Sequence, residues 1–122
     1  MATIKSDNPV LNLSFRFALD IIKYAEKLEE NKKYVIAKQV LRSGTSIGAN
    51  IHEAQSSESK LDFIHKLKIA SKEAEETEYW LMLCKYSENY PSNETLLKQI
   101  KELQRLLTRI IFSTKRNIRF KH

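Results

Sequence analysis

Apolar residues recur every three or four positions along most of the chain, which is the spacing of one face of an α-helix. The second such segment steps by four, four, three and four through Ile36, Val40, Gly44, Ile47 and Ile51. Three polar segments interrupt the pattern: EENKK at 29–33, SSES at 56–59 and NYPSNE at 89–94. The pattern therefore predicts four helices, at about 9–29, 33–57, 60–88 and 93–119.

Residues that start and stop helices stand at the ends of these segments. Pro9 falls at the start of the first, where the missing proline N–H would have had no helical partner anyway. Pro91 ends the third segment, and Ser92 or Asn93 is placed to cap the fourth. No stretch alternates apolar and polar residues for long enough to predict a strand. Because the connections are short, residues 1–122 are expected to form one domain, an all-α, antiparallel, up-down-up-down four-helix bundle.

Both glycines of the chain, Gly44 and Gly48, lie one turn apart in the middle of the second predicted helix. Glycine weakens a helix interior by about 1 kcal/mol relative to alanine, so a compensating contact is expected. If the second and third helices meet near 58–60, the glycines lie beside Ala70, Ser71 and Ala74. We therefore expect these small residues to let the two helices approach closely. A notch that admits the helix of a neighbouring subunit is the alternative.

The positive charge of the chain is concentrated near its C-terminus. The net charge is +6, yet residues 1–91 contain 13 Lys/Arg and 13 Asp/Glu and so sum to zero. Residues 92–122 contain eight Lys/Arg, Lys121 among them, against Glu94 and Glu102. Such an asymmetry favours a polyanion or an acidic protein surface as the partner.

Six cations of the fourth predicted helix share one face with an aromatic residue. At 100° per residue they fall within about 80° of arc, opposite the leucine and isoleucine seam. This basic stripe consists of Lys98, Lys101, Arg105, Arg109, Phe112, Arg116 and Arg119. It is typical of a nucleic-acid contact, in which cations meet phosphates and a ring stacks on a base. It also fits a solvated face neutralised by residues 73–78, or a contact with an acidic protein or another subunit.

The sequence predicts no catalysis, metal centre or cofactor. HEAQS lacks the second histidine of a zinc-binding HExxH helix, and adjacent His52 and Glu53 point about 100° apart. No Ser/His/Asp, Cys/His or paired-carboxylate arrangement stands out. The lone Cys84 excludes an internal disulfide and suits a core position in a protein of the reducing cytoplasm. The longest apolar runs, of about five residues, are far shorter than the roughly 20 that cross a bilayer.

Three blocks of the sequence resemble a bacterial family of four-helix-bundle proteins. They are RSGTSIGANIHEAQ at 42–55, DFIHKLKIASKEAEETEYWL at 62–81 and LLTRI at 106–110. The family is named for open reading frames in 23S rRNA intervening sequences, and the resemblance covers nearly the whole chain. Gly44 and Gly48 match its glycine-containing block as packing positions, whereas Glu75 stands where relatives often have asparagine.

The resemblance implies a left-handed bundle that assembles as a homopentameric ring and has no agreed catalytic residues. A related branch, the accessory protein of diversity-generating retroelements, implies a basic surface that binds nucleic acid and a reverse transcriptase. With the basic stripe, this predicts a non-enzymatic, oligomeric nucleic-acid-binding protein that prefers RNA to DNA. The alternative is a structural or protein-interaction module whose basic face contacts an acidic partner or a neighbouring subunit.

Overall fold

The fold is an all-α bundle of four helices. The computed structural model describes residues 7–120, with side chains as far as Arg119, so Lys121 and His122 lie outside the described residues. The helices are α1 Pro9–Glu30, α2 Tyr34–Ala54, α3 Lys60–Tyr86 and α4 Glu94–Phe120. No strand occurs between residues 7 and 120. The predicted fold class is therefore confirmed.

Local side-chain contacts explain where α1 and α3 begin. The Asn8 side chain accepts a hydrogen bond from the Val10 amide at 3.2 Å, while Pro9 takes the first helical position. The Ser59 hydroxyl oxygen accepts one from the Asp62 amide at 3.0 Å. Each contact satisfies an amide that has no carbonyl partner at the start of a helix, which fixes the first turn.

Neighbouring helices run in opposite directions. Arg42 of α2 contacts Glu73 of α3, whereas Glu53, farther along α2, contacts Lys66, farther back on α3. The same reversal relates α3 and α4 in the pairs Glu78–Lys101 and Lys85–Glu94. Each helix packs on two others: α1 on α2 and α4, and α3 on α2 and α4. This is the antiparallel arrangement that the short connections predict.

The inward faces of all four helices supply the core. The largest fully buried aliphatic and aromatic side chains are Phe17, Ile21, Leu28, Val40, Ile47, Ile51, Leu67, Leu81, Ile100, Leu103 and Leu107. Cys84 is buried among them, as predicted, and burial raises the pKa of its thiol. On α4 the last buried side chain is that of Leu107, and the described side chains after it are half-buried or exposed. The outer end of α4 therefore contributes little to the core.

The glycines of α2 face α1, so the predicted partner on α3 is wrong. A Cβ at Gly44 would lie 2.8 Å from Cγ2 and 2.9 Å from Cγ1 of Ile21. At Gly48 its nearest neighbours would be the backbone oxygen and side chain of Ser14, at 3.4 and 3.5 Å. Both neighbours belong to α1. The two glycines lie on the side of α2 that turns toward α1, and it is there that their missing side chains permit close packing.

Ala70, Ser71 and Ala74 still occupy packing positions, although the atoms nearest a Cβ at either glycine belong to α1. Ala70 and Ala74 are fully buried in the core of the bundle, and Ser71 is half-buried on α3. A polar contact also joins α2 to α3 near this level. The Thr77 hydroxyl donates a hydrogen bond to the Ser43 hydroxyl at 2.9 Å, and both side chains are fully buried.

A buried hydrogen-bond network anchors the start of α4. The Asn93 carbonyl accepts from the Leu97 amide, but the Asn93 side chain does not cap the helix. Instead its amide nitrogen donates to the Leu81 carbonyl at 2.8 Å and to the Tyr24 hydroxyl at 3.4 Å. Tyr24 donates in turn to the Pro91 carbonyl at 2.9 Å. The residue predicted as a cap thus ties α4 to α1 and α3.

Candidate nucleic-acid interface

The outward face of α4 carries the basic stripe. All seven of its side chains are exposed: Lys98, Lys101, Arg105, Arg109, Phe112, Arg116 and Arg119. The opposite face buries Leu96, Ile100, Leu103 and Leu107 in the core. This division follows from the helical period, because the cations recur at spacings of three, four and seven residues. The stripe is therefore held on a helix whose other side is fixed by packing.

The acidic side chains of α3 are largely occupied by residues other than the arginines of the stripe. Arg42 of α2 pairs with Glu73 at 3.3 Å and also with Glu76. The Trp80 indole donates a further hydrogen bond to Glu76 at 3.2 Å. One interpretation of the sequence was that these acids neutralise the basic stripe. In the structure, Glu73 and Glu76 form ion pairs with Arg42 of α2 instead.

Lys101 of the stripe forms an ion pair with an acidic residue of α3. Its ammonium lies 2.6 Å from Glu78 of α3, and the Gln104 amide donates to the same carboxylate at 3.2 Å. The hydrogen bond from Lys101 is the largest cause that lowers the pKa of Glu78. The charge of Lys101 is therefore partly compensated within the chain. It is a weaker candidate for a phosphate contact than Lys98, Arg105 or Arg109.

Lys98, Arg105 and Arg109 keep their charges uncompensated. Within residues 7–119, no carboxylate oxygen lies within 4.0 Å of any of the three. Arg105 and Arg109 border a shallow groove of about 560 Å³. Its lining is Lys101, Gln104, Arg105, Thr108, Arg109 and Phe112. The groove combines guanidinium donors, which suit phosphate oxygens, with one aromatic ring.

Phe112 is the aromatic member of this surface. Its side chain is 63% exposed, and it lies about one turn from Arg109 and from Arg116. An exposed ring between guanidinium groups can stack on a base while the cations hold the neighbouring phosphates. The arrangement suits a nucleic acid with unpaired bases.

Sequence reasoning missed a second group of basic side chains at the end of the bundle. His65 and Lys68 of α3 meet Lys115 and Arg119 of α4 around one cleft. Of these four, only Arg119 belongs to the stripe. The available signal was the antiparallel register of α3 and α4, which brings the start of one helix level with the end of the other.

Two other kinds of site, a metal centre and a membrane-spanning helix, can be examined in residues 7–120. No three His, Cys, Asp or Glu side chains in this range converge as a metal site would require. His52 and His65 are exposed. None of the four helices, over the described residues, is long and apolar enough to span a membrane.

The fold and this surface define a small basic protein of the four-helix-bundle class. The chain belongs to the 23S rRNA-intervening sequence protein family, whose sequence model matches residues 6–109. The family resemblance predicted from the sequence is thereby confirmed. The match ends within α4, so Phe112, Lys115, Arg116 and Arg119 lie beyond it.

A solved structure supports the same assignment. The chain is similar to a protein with unknown function from the S23 ribosomal protein family of Bacteroides thetaiotaomicron VPI-5482, with 47% sequence identity and a TM-score of 0.80. The similarity covers 84% of this chain and 97% of that one. No curated protein matches the chain.

Proposed function

We propose that the protein binds nucleic acid, with RNA preferred to DNA, through the basic stripe of α4 and without catalysing a reaction. The observation that carries the proposal is the exposed row of Lys98, Arg105 and Arg109, which has no ion-pair partner among the described residues. Cations that no protein carboxylate neutralises are available to phosphates. The exposed ring of Phe112, which can stack on unpaired bases, supports RNA as the ligand.

Binding of this kind has a physical signature. The stripe spans 22 residues from Lys98 to Arg119, or about 32 Å of helix. Each phosphate that a cation neutralises releases counterions, so the logarithm of the affinity falls with the logarithm of salt by about 0.7–0.9 per contact. Phe112 would add stacking, which tolerates any base. We therefore expect RNA binding that weakens with salt and has little sequence preference. We also expect the protein to act in the cytoplasm.

We further propose that the protein works as a homo-oligomer, a homopentamer as the family resemblance implies. One outward row of α3 supports subunit contacts: Tyr79 is 59% exposed, Tyr86 75%, and Met82 and Leu83 lie between them, partly exposed. Monomeric proteins rarely leave such a continuous apolar row in water. The same row could receive a protein partner such as a reverse transcriptase. Light scattering that gives the 14.3 kDa mass of one chain at micromolar concentration would refute the oligomer.

The test of the binding proposal reverses the charge of the uncompensated cations. The variant Lys98→Glu, Arg105→Glu, Arg109→Glu should lose RNA binding at low salt while keeping its helicity and mass, because all three side chains are exposed. The matched control Arg16→Glu, Lys23→Glu, Lys38→Glu changes the net charge equally at exposed positions on α1 and α2. It should retain most of the affinity, since its cations lie outside the stripe.

Equal loss in both variants would mean that net charge, not the stripe, attracts the RNA. Unchanged affinity in the stripe variant would remove α4 from the binding surface. The alternative function, a protein-interaction module, would then be favoured by the exposed apolar row of α3. Glu73, Glu76 and Glu78 are less suited to pair with the arginines of a neighbouring subunit, because they already have partners within the chain.

A further inference from the structure

A cleft at one end of the bundle combines an apolar floor with basic walls. It lies between the first turns of α3 and the last turns of α4 and has a volume of about 400 Å³. Its apolar lining is Leu61, Ile64 and Ile118, and its basic lining is His65, Lys68, Lys115 and Arg119. No carboxylate lines it. Leu61 is 69% exposed although a buried position on the same helix, Ile64, lies one turn away.

Two ammonium groups converge in this cleft with nothing of opposite charge between them. Lys68 and Lys115 both line the cleft, and the proximity of the Lys68 ammonium group lowers the pKa of Lys115. No described carboxylate lies within 4.0 Å of either lysine or of Arg119. Like charges at close range repel each other, so an anion bound between them would relieve the repulsion.

We propose that this cleft binds the terminal phosphate of an RNA strand that lies along α4. The inference rests on the proposed function, because the stripe delivers the strand and Arg119 belongs to both surfaces. Two ammonium groups and one guanidinium suit a terminal phosphomonoester, whose charge is close to −2 at neutral pH, better than an internal diester with a charge of −1. The exposed Leu61 and half-buried Ile118 offer an apolar surface to the terminal nucleoside.

The position of the cleft supports recognition of an end. It lies where α4 finishes, beyond the uncompensated row at Lys98, Arg105 and Arg109. A strand that follows the stripe from Lys98 therefore reaches the cleft last. The cluster of cations in the cleft therefore lies where the terminal phosphate, the most highly charged group of the strand, would be.

The experiment compares short single-stranded RNAs of one sequence that differ only at their ends. One carries a 5′-phosphate, one a 3′-phosphate and one hydroxyl groups at both ends, each with the same internal fluorophore. At low salt, one of the two phosphates should raise the affinity about tenfold over the hydroxyl-ended strand, the effect of a good charge-assisted contact. Whichever phosphate does so identifies the end that the cleft holds.

Variants of the cleft test whether the gain in affinity from the terminal phosphate depends on the cleft lysines. Lys68→Gln with Lys115→Gln should abolish the gain while the hydroxyl-ended strand binds within about twofold of wild type, because the stripe is intact. The single variant Lys115→Gln should lose most of the gain. The control Lys38→Gln with Lys72→Gln removes two exposed lysines outside the cleft and should keep it. Circular dichroism and mass verify that each variant is folded and assembled.

The outcomes separate this inference from the proposed function. RNA binding without any gain from either phosphate, or a gain that survives loss of both cleft lysines, would overturn the end-binding role and leave the stripe as the RNA surface. Failure of every RNA to bind wild type would overturn both. Inorganic phosphate that binds as tightly as the phosphorylated strand, measured by calorimetry, would make the free ion the ligand and would also overturn the inference.

Discussion

The two glycines of α2 offer a direct test of how closely α1 and α2 approach. Gly44→Ala and Gly48→Ala are the same substitution one turn apart in one helix, and each gains about 1 kcal/mol of helix propensity. The surroundings differ. A methyl group at Gly44 would meet two γ-carbons of Ile21 at 2.8 and 2.9 Å, whereas at Gly48 its nearest contact, with Ser14, is 3.4 Å.

The crowding at Gly44 has no easy relief. Ile21 is fully buried, and both crowded atoms are attached to its Cβ. A β-branched side chain in a helix strongly prefers one χ1 rotamer, so it cannot turn away without strain. Overpacking of this kind costs about 1–3 kcal/mol. After the propensity gain, Gly44→Ala should range from neutral to about 2 kcal/mol less stable, and Gly48→Ala should be up to about 1 kcal/mol more stable.

Urea unfolding at equal protomer concentration measures the difference, which we expect to be about 1–3 kcal/mol between the two variants. Equal concentration matters because the self-association proposed above would add to apparent stability. In the background Ile21→Ala, the clash is absent and Gly44→Ala should become stabilising. If Gly44→Ala is as stable as Gly48→Ala in the wild-type background, the close approach at Ile21 is refuted.

Three further substitutions test other contacts. Asn93→Ala should lower the free energy of unfolding by about 1–3 kcal/mol in urea, because the buried hydrogen bonds from Asn93 to the Leu81 carbonyl and the Tyr24 hydroxyl are lost. Lys101→Gln should raise the lowered pKa of Glu78 toward its ordinary value. A carboxyl group whose pKa is lower in the folded than in the unfolded state stabilises the fold at pH values above its unfolded-state pKa. That contribution is lost as the pH falls through the folded-state pKa. The stability of Lys101→Gln should therefore fall less than that of wild type between about pH 5 and pH 3, and a parallel fall would count against the pair. Phe112→Ala should weaken RNA binding by about 1–3 kcal/mol in a fluorescence titration if the ring stacks on a base. Dissociation of the assembly in light scattering would make Phe112 a subunit contact instead.

The helices could be predicted from the sequence because their apolar faces are long and regularly spaced. The least accurate boundary is the end of α2, predicted near 57 and found at Ala54. The amides of Gln55, Ser56 and Ser57 bond to carbonyls three residues back, which closes a turn and ends the helix. Serine and glutamine are compatible with either conformation, so the residue pattern alone does not reveal the change.

The contacts between helices were harder to predict than the helices themselves. Both α1 and α3 flank α2, and the register with α3 placed small residues beside the glycines without testing α1. The pairing of Arg42 with Glu73 and Glu76 was not predicted either, because the helical period does not show that Arg42 of α2 faces the acids of α3. A helical period shows which residues face inward or outward. It does not show which of two neighbours an intermediate position meets.

The outer end of α4 carries exposed side chains of the proposed RNA surface on which the folding of the bundle does not depend. Every fully buried side chain in the described part of the helix comes before Ile110, and the exposed Phe112, Arg116 and Arg119 follow in about two turns. Substitutions at those three exposed positions leave the core intact and need no compensating change elsewhere. Ligand preference can therefore diverge there within a single helix, one residue at a time, while its first half preserves the bundle.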